Sequence, residues 1–323
     1  MPRNALRFNR RAAKRPSRGL FFAAINRFIG ALPSVCRVPS PMPPVLALPK
    51  DARWFQIAGQ GVILAVGLVA FDFSLAPIQI GAAIGAALGA QAIGSMLVAS
   101  RFDWKSATLT GLSLCLLLRA NDLWPFVAAA VIGVGSKFAL RRNGSHVFNP
   151  ANIGIVAMLA GGAAWTSTGE WGSAPWFALL IAALGALTCW RASRLDAGLI
   201  YFGVYAALVI ARALYLGDPL AIPALRLSHG ALVLFAFFMI SDPRTTPENP
   251  RERAAFIALA AAIAYVLQFH FFYSDGIFIA PFLLALSRFI ALRPGARVYR
   301  WGEPPQVPHF LNKRAAARGR MTI

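Results

Sequence analysis

Two asparagines three residues apart, Asn149 and Asn152, open one apolar run of this chain, and a single carboxylate, Asp242, closes another. Asn149-Pro150 reads as a helix start, because Asn caps helices, Pro suits the first helical position and the apolar run Ile153 to Leu159 follows. The first turn then points backbone N–H groups at the preceding basic loop, and the two side-chain amides share one side of the helix. Convergence of Asn149, Asn152 and Asp242 between helices would set amide donors and acceptors and one carboxylate in an otherwise apolar cleft. That chemistry suits a planar heteroaromatic ring with several hydrogen-bonding edges. The plainer alternative stays open: Pro stops a helix, Thr and Asn turn the chain, and the arginines around Asp242 fix orientation.

These residues must be held by a membrane framework. The chain is 58% hydrophobic and only 14% charged, with a mean hydropathy of +0.59, which excludes a disordered or ordinary soluble protein. Its net charge of +20 sits between apolar segments and not on one amphipathic face, so it reads as positive loops on a membrane protein with no nucleic acid as partner. Cys36, Cys115 and Cys189 form no CxxC pair and the four histidines do not cluster, which leaves metal motifs unsupported. Neither a GxGxxG fingerprint nor a Walker lysine is present, so a nicotinamide nucleotide would have to be handled by another chain.

Residues 1–50 read as a basic cytoplasmic extension, disordered and able to lie on anionic lipid, with Met42 as an alternative start. Residues 51–293 form the membrane domain and 294–323 a basic cytoplasmic tail. Ten candidate spans fall near 55–73, 77–99, 106–118, 124–140, 150–164, 174–190, 198–215, 228–240, 254–273 and 276–292; the third, fifth and eighth are short of the roughly 20 apolar residues of a straight crossing. With the N-terminus inside, all but three of the 32 lysines and arginines fall on the cytoplasmic side, the exceptions being Arg119, Arg212 and Arg226. The expectation is therefore an all-α polytopic membrane protein of about ten helices with both termini cytoplasmic. Thr110-Gly111 and His229-Gly230 open the third and eighth spans, which suggests an inverted 5+5 repeat with short or broken spans. Lys137 and Arg212, near span ends, are expected to snorkel to the interface, and no chain of buried carboxylates marks an ion route.

Phe148-Asn149-Pro150-Ala151 opening one span and Met239-Ile240-Ser241-Asp242-Pro243 closing another resemble the membrane subunit family that contains the D subunit of the Rnf electron-transport complex and the B subunit of the sodium-translocating NADH:quinone reductase. Arg53-Trp54-Phe55-Gln56-Ile57 and Trp171-Gly172 look similar to a compact branch of it, and the resemblance spans roughly Asp51 to Arg293. It implies a flavin-carrying subunit that passes electrons near the cytoplasmic face, not catalytic alone, with other electron-transport subunits or a soluble electron carrier as partners and ion movement as a coupled process. The cofactor would be a non-covalent riboflavin or FMN held by Asn149, Pro150, Asn152, Asp242 and Thr245, with Phe238 as aromatic neighbour. Family members also carry an FMN joined by a phosphoester to an outer Thr. Here the corresponding segment, Trp165 to Gly172, lacks the motif; Thr166 and Thr168 lie on the expected side, and covalent FMN is not expected.

Two other classes fit the architecture: a urea- or ammonium-like carrier, and a cofactor-free scaffold subunit of a membrane complex. An aquaporin reading of Asn149-Pro150-Ala151 fails on the single box and the number of spans.

Overall fold

Proline and Asx residues punctuate this chain into helices. The computed structural model describes residues 51–142, 145–166 and 174–291; the basic extension expected over 1–50 and the tail over 294–323 lie outside the described residues. In order, the helices are α1 (Arg53–Ala70), α2 (Pro77–Leu97), α3 (Trp104–Leu117), α4 (Trp124–Ala139), α5 (Pro150–Ala160), α6 (Pro175–Arg191), α7 (Leu195–Leu216), α8 (Ala221–Leu227), α9 (Gly230–Leu234), α10 (Pro250–Phe269) and α11 (Gly276–Ala291). A π-helical turn, Phe235–Met239, continues α9 directly. Pro stands in the first turn of α2, α4, α5, α6 and α10, where a missing N–H costs no helical hydrogen bond.

Each of the ten apolar segments carries a helix. By length and composition α1, α2, α7 and α10 are able to cross a membrane, and α8 with α9 and its π turn, bent by 50° at their junction, would make a fifth. The eighth segment is thus the second piece of a broken helix: α8 precedes it, and the break falls at Ser228-His229. Exposed apolar side chains such as Val69, Ile78, Met96 and Leu187 face outward, as lipid contact requires. The protein is a mostly helical, multi-pass membrane protein.

Packing follows a recurring order. In the first half α1 packs on α3, α2 on both α3 and α4, and α4 on α5; in the second, α6 packs on α9 and the π turn, α7 on the π turn and α10, and α10 on α11. Because lipid removes the hydrophobic drive between helices, close approach decides such contacts. The α4–α5 contact shows it: a Cβ on Gly133 would stand 2.2 Å from the Pro150 carbonyl oxygen, and one on Gly154 2.3 Å from that of Ala129. Each helix is glycine where the other's backbone passes.

Two short antiparallel pairings close the ends. β1 (Leu118–Arg119) meets β4 (Trp165–Thr166), and β2 (Arg141–Arg142) meets β3 (Ser145–His146). Arg119 is buried with its guanidinium over Phe73, and its Nη1 donates to the carbonyls of Cys115 and Leu118 at 2.8 and 2.7 Å. Lys137 departs from the snorkelling expectation. It is buried, and its Nζ donates to Gln91 Oε1 at 2.6 Å and Ser106 Oγ at 3.2 Å, tying α4 to α2 and α3.

Candidate functional site

Asn149 is extended and caps α5, its side-chain oxygen accepting the N–H of Asn152 at 3.1 Å. Its Nδ2 reaches across to the Met239 carbonyl at 3.4 Å. Asn152, one turn into α5, is buried; its Nδ2 donates to the Phe278 carbonyl on α11 at 3.1 Å, while its Oδ1 is buried with no hydrogen-bond partner among the described residues. An unsatisfied buried acceptor is costly, about 1–3 kcal/mol, unless a ligand completes it.

The facing wall is the π turn. Its wider winding takes backbone carbonyls out of the α-helical ladder, and π turns recur at functional sites. Here side chains collect them: Phe237 O accepts from Cys189 and from Ser241 Oγ (2.7 Å), Phe238 O from Gln56 (3.2 Å), and Met239 O from Asn149. The third wall is the loop after Asp242. Thr245 and Thr246 Oγ1 donate to the Asp242 carbonyl at 3.4 and 3.0 Å, Asp242 Oδ1 accepts the Arg244 N–H at 3.0 Å, and Arg288 on α11 donates to the Thr245 carbonyl at 2.6 Å. Arg253 braces the loop from below through the Glu248 carbonyl (3.0 Å) and pairs with Asp196 at the start of α7 (2.6 Å).

Between these walls lies a cleft lined by Val147, Phe148, Asn149, Asn152, Phe235, Met239, Ile240, Thr245, Thr246, Phe256, Pro281 and Ala285. Of the residues singled out in the sequence, Asn149, Asn152 and Thr245 line it together. Pro150 starts α5 but turns its backbone to Gly133. Asp242 is not in the lining; it shapes the threonine loop through its backbone, and burial pushes its carboxyl upward against the opposing pull of Arg244, Arg194 and Lys137. Phe238 points to the far side of the π turn, 3.5 Å from where a Cβ on Gly59 would stand. The aromatic walls come from Phe148, Phe235 and Phe256. Phe235 and Phe256 carry no motif in the sequence; Pro281, inside α11, was the one legible signal on that wall, since Pro in a helix interior interrupts the backbone ladder.

Beside the cleft, the β2–β3 hairpin is fastened to α11: the Arg142 guanidinium lies 3.7 Å from the Phe289 ring centroid and its Nε donates to the Phe289 carbonyl, while Phe148 packs on Phe282 and Phe289. His146 in this hairpin is buried, and burial with the charges of Arg244 and Lys137 lowers its pKa to about 3. At the other end of α5, Thr166 is buried and its hydroxyl donates to Asp275 Oδ1; Thr168 lies outside the described residues. No group of three metal-ligating side chains exists among the described residues.

Helical scaffold and cleft together define a class: a multi-pass membrane protein with a polar cleft between its helices. The model of the NQR2, RnfD, RnfE family matches residues 163–287, which takes in the threonine loop, the π turn and most of α11 but starts after the asparagines. The chain is similar to the D subunit of the ion-translocating oxidoreductase complex of Citrobacter koseri, 37% identical over 73 residues, 23% of this chain and 21% of the relative. It is also similar to the protein of the same name in Escherichia coli O1:K1, 29% identical over 147 residues, 45% of this chain and 39% of the relative. The matched part of each relative is thus well under half its length. Together these matches support the RnfD/NqrB family for this chain.

Proposed function

We propose that this protein is the flavin-binding membrane subunit of an Rnf-like ion-translocating electron-transport complex, with a non-covalent flavin in the Asn149–Asn152 cleft. The observation that carries the reading is the Asn152 Oδ1, a buried acceptor without a partner among the described residues, beside a cleft walled by aromatic rings. An isoalloxazine ring offers an imide N–H flanked by carbonyls: Asn152 Oδ1 would accept that N–H, the second amide hydrogens of Asn149 and Asn152 remain for the carbonyls, and Phe148, Phe235 and Phe256 would pack against the ring.

When bound, the flavin supplies the electron-transfer chemistry that no side chain here provides. The chain's own residues bind and orient. Asn149 fixes the first turn of α5, so that Asn152 is presented at a set depth. Arg288 and Arg253 hold the threonine loop closed over the cleft, and Met239, Ile240 and Ala285 exclude water from it.

The same proposal places the protein in a bacterial inner membrane with ten spans and both termini cytoplasmic, so that the cleft opens toward the cytoplasm. The distribution of lysine and arginine supports this orientation. The packing order shared by the two halves supports the inverted 5+5 repeat. Electron-transport subunits are the expected partners, and ion movement would be a property of the complex.

The absorbance spectrum of the purified protein, followed by acid precipitation, tests the reading. Flavin bands in the folded protein with riboflavin or FMN released to the supernatant are expected, with none retained on the polypeptide. A colourless, folded preparation would overturn the flavin assignment and leave the scaffold.

A further inference from the structure

Three basic residues stand apart from the otherwise one-sided distribution of lysine and arginine, and two of them share one aromatic ring. Arg212 on α7 and Arg226 on α8 both lie over Phe269, their guanidinium carbons 4.9 and 4.8 Å from the ring centroid. Arg212 is 16 residues along α7 from Asp196, about 24 Å at 1.5 Å per residue. Since Asp196 pairs with Arg253 beside the cleft loop, this arginine pair is at the opposite end of the molecule.

We propose that Arg212 and Arg226 bind the phosphodiester of an anionic phospholipid. Two guanidiniums on one ring put two positive charges within about 10 Å of each other. The carboxylate beside them, Asp218, stands 3.8 Å from Arg212 with both side chains about a third exposed, too loose and too few to balance two cations. Tyr205 is hydrogen-bonded to Arg226 and to Gln268, and the buried Nδ1 of His229 has no partner among the described residues. The cluster is therefore net positive with hydrogen-bond capacity to spare. A phosphodiester, one negative charge on two free oxygens, matches one oxygen to each guanidinium.

The surroundings select a lipid over a dissolved anion. Next to the arginines, Leu214, Tyr215, Leu225 and Phe272 are 65, 88, 50 and 84% exposed. Apolar and aromatic side chains in that setting face acyl chains and the interface, and a basic pocket among them is a headgroup site. This inference needs membrane insertion but not the flavin.

The test is native mass spectrometry of the full chain in neutral detergent, titrated with phosphatidylglycerol, with phosphatidylcholine and with inorganic phosphate. Phosphatidylglycerol is expected to give a retained one-to-one adduct at least about tenfold tighter than phosphatidylcholine, about 1.4 kcal/mol. Arg212→Gln with Arg226→Gln should erase that preference, while Arg251→Gln, at the cytoplasmic loop, should leave it intact. Equal retention of both lipids by the wild-type chain would overturn the proposal without any variant. So would inorganic phosphate bound with no phosphatidylglycerol adduct, or a preference that survives in the double variant.

Discussion

The side-chain oxygen of Asn149 accepts the backbone N–H of Asn152, so the first amide of the site holds the helix that presents the second. Replacing Asn149 by Ala removes this cap at a cost of about 1 kcal/mol. Thermal unfolding in detergent should show a melting temperature lower by about 2–4 °C. Asn149→Ser, which keeps a capping oxygen, should recover most of it. Equal melting of Asn149→Ala and wild type would deny the cap its role.

The paired glycines of α4 and α5 make a sharper stability prediction. Gly133→Ala and Gly154→Ala each place a methyl within 2.3 Å of a carbonyl oxygen on the other helix, and relief requires the helices to part. Each should cost about 2 kcal/mol or more and displace Asn152. Gly135→Ala, with open space around it, serves as the control and should melt like the wild type.

His146 predicts a pH dependence. Its folded pKa of about 3 lies below the ordinary 6.5, so the unfolded chain takes up a proton that the folded chain refuses. Its contribution is fully present above pH 6.5 and is lost as pH falls from there toward 3, at up to about 1.4 kcal/mol per unit. Asp242, raised by burial, acts with the opposite sign above the ordinary carboxylate value, so the comparison with a His146 variant isolates the histidine. Melting measured between pH 7 and 5 should therefore decline in the wild type and flatten in His146→Gln; an unchanged slope would contradict the assignment.

The helices were legible because their signals are local. Asn149-Pro150, Asn249-Pro250 and the prolines of α2, α4 and α6 mark helix starts in the sequence, and apolar runs mark the helices themselves. The break at Ser228-His229 was not legible, since Gly230 reads equally well as the start of one short span. The site was half legible. A capping asparagine announces itself, but which face of Phe235–Met239 turns to the cleft depends on a π turn, and one extra residue per turn rotates Phe238 away and brings Phe235 and Met239 in. Lys137 departs from expectation for a similar reason: its position near a helix end suggests the interface, while Gln91 and Ser106 on two other helices supply a buried seat for its ammonium.

Flavin content of the Asn152→Leu variant tests the central claim most directly. Leucine fills the same space without an acceptor, so a ligand N–H would be left unpaired. The account predicts a folded variant that binds riboflavin or FMN at least about tenfold more weakly. Undiminished flavin binding by a folded Asn152→Leu protein would contradict it.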